Sequence, residues 1–240
     1  MDYKKVARYV VLGILFFLPV TFLLFLYPAT HNYTPLDIVN ESVFDLNGFT
    51  SDSNEEIVLY DHITVLGFLG KHPMEKAIAA SNLKELVYDK FKGFKRFQVV
   101  IVVPKEADAE VESLKKEINS YDDIRFWYFV FGEPETIQNL FKSLKSNMSL
   151  DANLATDDVF IIDKDLNQRG RLDDRGDNDI AKKSSIHGLY SYNCIEVAEI
   201  KNKMSEDMRI LFTEYRQKRK GDFDSSTRRA NDLIEHDEEN

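Results

Sequence analysis

Ile63-Thr64-Val65-Leu66-Gly67-Phe68-Leu69 is the stretch from which the fold is read. Six of its seven positions lack polar side chains, it is rich in β-branched and aromatic residues, and it is too short for a membrane span. Such a run is the signature of a strand buried on both faces, which places it at the centre of a sheet covered by helices. Downstream, Pro73 sits where the first turn of a helix tolerates a missing N–H, and that helix is expected to run to about Phe91. Phe97 to Val103 is a second apolar strand, so the two strands and the helix between them form a parallel β-α-β unit. After Pro104, Ala107, Val111, Leu114 and Ile118 recur at helical spacing, with Glu106, Asp108 and Glu110 near the start, where acids favour the helix dipole. Ile124 to Phe131 is a third strand, and Ile137, Leu140, Phe141 and Leu144 mark a third helix. Val159 to Ile162 and Gln168 to Leu172, joined across residues 163–167, read as an antiparallel hairpin. Upstream, Phe44 to Gly48 and Ile57 to Tyr60 suggest another. The expected class is α/β, a mixed sheet flanked by helices.

A final helix is expected from Ile195 to Arg219, its apolar face formed by Met204, Met208, Leu211, Phe212 and Tyr215. Arg216, Lys218, Arg219 and Lys220 crowd its C-terminus, where the dipole favours cations, and they read as a solvated helix end. Residues 220–240 turn polar and mixed in charge, the composition of a disordered tail.

The chain has 240 residues, 43% of them hydrophobic, with 17 Phe and 11 Tyr, enough for one substantial core in a domain over 43–219. A formal charge of −10 argues against nucleic acid as a partner, because counterion release requires a basic footprint. From Tyr9 to Tyr27 no residue is charged, and at about 1.5 Å per residue this run matches the hydrocarbon thickness of a bilayer. Lys4, Lys5 and Arg8 precede it, whereas 28–70 contains no Lys or Arg. The positive-inside rule then puts residues 1–8 in the cytoplasm, a single transmembrane helix at 9–27, a tether at 28–42 and the domain on the far side. A cleaved signal peptide is the competing reading, but the run is long and Tyr27-Pro28-Ala29 is a poor cleavage site. The single cysteine, Cys194, allows no internal disulfide and reads as a small buried hydrophobe.

Asp45-Leu46-Asn47-Gly48 after Phe44, the run Phe126 to Gly132 followed by Ile137 and Leu140, and Phe160-Ile161-Ile162-Asp163 with Arg169-Gly170 are the pieces that carry a family likeness. Together with the apolar N-terminal segment, this order of elements resembles the Sco/SenC family over about Phe44 to Tyr215. Those proteins are thioredoxin-like, membrane-anchored copper and redox factors of cytochrome oxidase assembly. The resemblance implies a thioredoxin-like domain in the periplasm, anchored in a bacterial inner membrane, with a membrane or periplasmic partner such as a cytochrome oxidase component.

The departures from that family bound function more tightly. Where its Cys-Pro-x-x-Cys type of motif would stand, this chain reads Lys71-His72-Pro73-Met74-Glu75-Lys76, with His72 and Lys76 at the two cysteine positions. The family's third copper ligand, a histidine, falls among Asn153, Leu154 and Ala155. No proline precedes the terminal hairpin, where thioredoxins place a cis-Pro. Since thiolates are the nucleophile and the soft metal ligand of such sites, the expectation is a non-catalytic module with no cofactor.

Four other chemistries compete with this reading. His62, His72 and Met74 are candidates for a soft-metal site with substituted ligands, the alternative function. Asp157, Asp158, Asp163, Asp165, Asp173, Asp174, Asp177 and Asp179 fail the spacing of a calcium loop and read as a solvated acidic surface. Ser184 and Ser185 lie near His187 without a nucleophile elbow, and Gly67 and Gly70 form no phosphate loop. In a further variant, a separate thiol protein docked by this chain supplies the chemistry and Cys194 is dispensable.

Overall fold

The computed structural model describes residues 3–26, 35–51, 56–119 and 124–220. The chain divides into two units, Met1–Thr34 and Pro35–Asn240. In the first, helix α1 runs over Tyr3–Leu26 and contains Pro19. Its large apolar side chains between Val11 and Leu24 are 46–75% exposed, and Thr21 turns its hydroxyl inward to the carbonyls of Phe17 and Leu18 at 2.9 and 3.0 Å. Side chains at 9, 10, 23, 25 and 26 lie outside the described set, and among the described residues no helix is long and apolar enough to cross a membrane.

In the second unit the elements follow as β1 (Asp37–Asn40), β2 (Thr50–Ser51), β3 (Ile63–Leu69), α2 (Ala77–Leu83), α3 (Asp89–Phe91), β4 (Phe97–Pro104), α4 (Asp108–Ile118), β5 (Trp127–Gly132), α5 (Pro134–Lys142), β6 (Ala155–Ile162), β7 (Gln168–Gly170), α6 (Asp177–Ala181), β8 (Tyr192–Asn193) and α7 (Ser205–Lys220). The sheet order is β1-β7-β6-β3-β4-β5-β2, with β8 also paired to β6. β3 lies parallel to β4 and antiparallel to β6, and β6 and β7 form the expected hairpin. A parallel β-α-β unit joined edge to edge with an antiparallel hairpin and a closing helix is a thioredoxin-like arrangement.

Every residue of β3 and β4 is buried, as their apolar runs required. Alternation then sorts their side chains into two cores. Val65, Val99, Ile101 and Phe129 face α2, α4 and α7, whereas Leu66, Phe68, Val100 and Val102 face α5 and the loops around Val43 and Leu59. The polar residues of these two strands, Thr64 and Gln98, are satisfied: Gln98 Nε2 donates to Thr64 Oγ1 at 2.9 Å and to the Val58 carbonyl at 2.8 Å.

Two expectations about the N-terminal part are corrected. The hairpin of 44–48 with 57–60 does not form. Asp45 instead accepts from the backbone N–H groups of Leu46 and Leu59 at 2.8 and 2.7 Å, so a carboxylate supplies the hydrogen bonds that a ladder would have supplied. The tether also ends earlier than 42, since Leu36 and Val39 are buried and β1 pairs with β7 along the sheet edge. The long helices are interrupted as well. Residues 73–91 begin with a 3-10 turn and carry a π-helical turn at Lys84–Tyr88, and another π turn, Glu199–Met204, precedes α7. The tail expected at 220–240 lies outside the described residues apart from Lys220, the last residue of α7.

Cys194 is 2% exposed, and burial pushes its thiol well above the ordinary range. It should stay unreactive toward Ellman's reagent in the native chain and titrate as one thiol only after unfolding in denaturant. Reaction in the native state would contradict this placement.

Candidate functional site

The end of β3 leads into Gly70, whose φ of +68° is the left-handed conformation that glycine adopts without strain. A Cβ here would lie 2.4 Å from the carbonyl oxygen of Asn153. The next residue, Lys71, donates its N–H to that same carbonyl at 2.9 Å. Residues 151–155 are held by Asp151, whose Oδ1 accepts from the N–H groups of Asn153 and Ala155 at 2.8 and 2.9 Å. Leu154 turns into the core with φ of 63°, and no peptide bond among the described residues is cis. The three positions where the family likeness places a histidine ligand are thus a tight backbone turn sealed against the strand end.

The three basic side chains of the following turn each meet a carboxylate. Lys71 lies 3.2 Å from Glu106, His72 Nδ1 lies 3.1 Å from Glu110, and Lys76 Nζ lies 2.9 Å from Asp157 on β6. The other oxygen of Glu110 faces the Met74 N–H at 3.5 Å, and Met74 itself is 36% exposed. Donating its ring N–H to the Glu110 carboxylate raises the His72 pKa above the ordinary histidine value of 6.5. Because the folded value is the higher one, any stabilisation from this pair is complete below about pH 6.5 and is lost as pH rises through the folded value. We expect the His72 ring protons to titrate by NMR with a midpoint above that of an unperturbed histidine side chain, and Glu110→Gln to lower it. An unchanged midpoint in the variant would rule out the pair.

The soft-metal set of His62, His72 and Met74 is not assembled. His62 precedes β3, with its Nδ1 3.0 Å from the Tyr60 carbonyl, and His72 follows the strand's other end, so seven strand residues, roughly 23 Å, separate them. Proximity of a strand end to a helix start holds for His72 and Met74 only. Among the described residues no group of three or more His, Cys, Asp or Glu could hold a metal. A copper ion of the kind the family likeness implies does not fit the donors in place: an imidazole turned to Glu110, an ammonium paired with Asp157, and no thiolate. Cys194 is buried, although its N–H bonds the Asp157 carbonyl at 2.8 Å.

A second polar cluster escaped the sequence reading. Arg169 is 2% exposed, and its guanidinium donates to Asp163 at 2.9 Å, to Glu214 at 2.5 Å and to the Leu36 carbonyl. Beside it, Arg171 bonds Asp207 at 2.8 Å and Asp174 at 3.1 Å, and the Tyr192 hydroxyl donates to Asp207 at 2.7 Å. Burial pushes the Asp207 carboxyl up despite those hydrogen bonds. Asp163 and Asp174 therefore belong to the buried frame rather than to a solvated acidic loop, and Asp158 likewise accepts from Ser191 at 2.6 Å. Arginines spaced two apart on one hairpin strand were the available signal. The Ser184, Ser185 and His187 group forms no nucleophile–base hydrogen bond among the described residues; Ser184 instead offers its carbonyl to Arg175 at 3.0 Å.

No family model matches the chain, and no curated protein matches it. Among solved structures, it is similar to BsSco, a member of the Sco family of cytochrome c oxidase assembly proteins, at 12% identity over 74% of this chain and 98% of that one, with a TM-score of 0.47. Sco1 of Thermus thermophilus matches at 14% identity over 75% and 98% of the two chains, with a TM-score of 0.43. Copper-bound ScoI of Bradyrhizobium japonicum matches at 12% over 72% and 99%, with a TM-score of 0.39. Sco proteins are thus among the solved structures to which this chain is similar.

Proposed function

We propose that this chain is a non-catalytic, Sco-like module, anchored in a bacterial inner membrane through residues 9–27 with its domain in the periplasm, that serves as an assembly or interaction factor for a membrane complex such as a respiratory oxidase. The observation that carries the reading is the closed turn at 70–76, where each former ligand position is tied to a carboxylate or to backbone. Exposed apolar side chains border it. Met74 and Ile78 lie on one side, and Ile195 is brought near when Asn82 Nδ2 bonds the Cys194 carbonyl at 2.9 Å. Apolar exposure beside a disabled site suits protein docking. The anchor is supported by the uncharged sequence and the exposed apolar surface of α1.

Copper decides between this reading and metal handling through His72 and Met74. The metal-free chain, loaded with Cu(I) and challenged with a competitor of micromolar affinity, should retain no stoichiometric copper, and it should not reduce insulin disulfides. Stoichiometric copper that disappears on His72→Ala would replace the module by a metal handler. A reporter that functions only in the periplasm, fused after Asn240, should be active; activity of a cytoplasmic reporter alone would overturn the topology.

A further inference from the structure

The last turns of α7 border a groove of about 590 Å³ at the Ile63 end of the sheet. Among the described residues five cations line it, Lys95, Lys164, Arg216, Lys218 and Arg219, and no acid does, on a chain of formal net charge −10. Its apolar wall is aromatic. Phe94, 36% exposed, stacks on Phe212 with ring centroids 4.3 Å apart, and the Tyr215 ring holds the ammonium groups of Lys164 and Lys218 at 5.5 and 5.0 Å from its centroid. Lys218 is balanced by Glu214 at 2.8 Å and Lys164 by Asp61 at 3.7 Å, whereas Lys95, Arg216 and Arg219 have no acidic partner among the described residues. The helix end is therefore more than a solvated terminus, since two other loops bring Lys95 and Lys164 to it.

Cations set around half-exposed aromatic rings suit the headgroup region of an anionic bilayer, where the rings sit among headgroups and the cations meet phosphates. The chain can reach it. Arg169 bonds both the Leu36 carbonyl and Glu214, and Glu214 holds Lys218, so the groove's rim lies two side chains from the point where the polypeptide enters the domain. Ten residue steps separate Leu26, the end of α1, from Leu36, at most about 35 Å.

We infer that this groove binds the anionic phospholipid headgroups of the bilayer that holds α1, so that the Ile63 end of the sheet faces the membrane and the Gly70–Ile78 surface is presented away from it. The inference rests on the proposed anchor. It is tested with the full chain in vesicles of phosphatidylcholine, with or without phosphatidylglycerol, carrying a headgroup quencher. A fluorophore is placed at Gly93→Cys, where an added Cβ meets nothing within 4 Å, or at exposed Glu75→Cys beyond the other end of β3. Quenching at 93 should rise at least roughly fivefold with phosphatidylglycerol, since each cation near an anionic surface adds about that factor. It should fall back in high salt and with Arg216→Glu/Arg219→Glu, while the label at 75 stays unchanged. Quenching at 93 independent of lipid charge, or equal quenching at 75, would overturn the inference. So would shielding of the label at 93 that is the same in both lipids and is relieved by deleting residues 221–240, which would make the acidic tail the occupant. An alkaline carbonate wash separates the two claims. A chain washed off yet quenched at 93 only with phosphatidylglycerol keeps the groove and loses the anchor; a chain retained without lipid-charge dependence does the reverse.

Discussion

Arg169→Ala is expected to lower the unfolding free energy by about 3–5 kcal/mol, the usual result of removing one partner from a buried ion cluster. The loss comes less from the missing attraction than from what is left behind. Asp163 and Glu214, with side chains 2% and 4% exposed, would keep their charges with no guanidinium between them. Asp163 would retain the N–H groups of Asp165 and Asn167, each at 2.9 Å, and Glu214 would retain Lys218 at 2.8 Å, so the collapse is partial. The Leu36 carbonyl would lose its donor, loosening β1 at the sheet edge. Arg169→Met combined with Glu214→Leu should be less destabilised than Arg169→Ala, because the second change removes a stranded charge. Urea unfolding of the four corners of that cycle measures the coupling. A double variant at least as unstable as the sum of the two single variants would show that the pair contributes nothing beyond its separate parts.

Gly70→Ala should cost about 2–4 kcal/mol, combining a left-handed backbone in a residue with a side chain and overpacking against neighbours that cannot retreat. The obstruction is backbone: the new Cβ would sit 2.4 Å from the Asn153 carbonyl oxygen and 2.8 Å from the Ala155 Cβ. Gly93→Ala is the matched control, with open space around its Cβ, and should stay within about 0.5 kcal/mol of the parent. If both variants unfold at the same denaturant concentration, the turn at 151–155 is not fastened to the end of β3. The reading of the former ligand positions as a closed surface would go with it.

The amino-acid sequence was sufficient for the part of the fold in which a residue's type alone dictates burial. The near-continuous apolar runs of β3 and β4 admit only a covered central position, and the stripe of Ile137 and Leu140 admits only a helix with one face inside. The same holds for what is missing, since no tertiary arrangement can supply the thiolates that residues 71–76 lack. The β6–β7 hairpin was legible for a related reason, as the polar turn of residues 163–167 follows directly on the apolar end of β6.

The remainder depended on long-range partners. β1 and β2 are edge strands of four and two residues, too short to carry a pattern, and they exist because β7 and β5 offer them open hydrogen-bonding edges. Asp163 looks like any surface acid until the fold sets Arg169 against it, six residues away, and brings Glu214 from 45 residues away to the same guanidinium. The metal candidates failed for a geometric reason: the rigid span of β3 keeps His62 and His72 at opposite ends, and linear proximity carries no information about the direction a strand runs. The basic groove has the same origin, because Lys95, Lys164 and the end of α7 share a surface only once α7 lies across the sheet. Residue chemistry decided which side chains must be buried and which donor atoms residues 71–76 can offer, and the folded arrangement decided which charges meet, because Coulombic and hydrogen-bond pairing acts through space rather than along the chain.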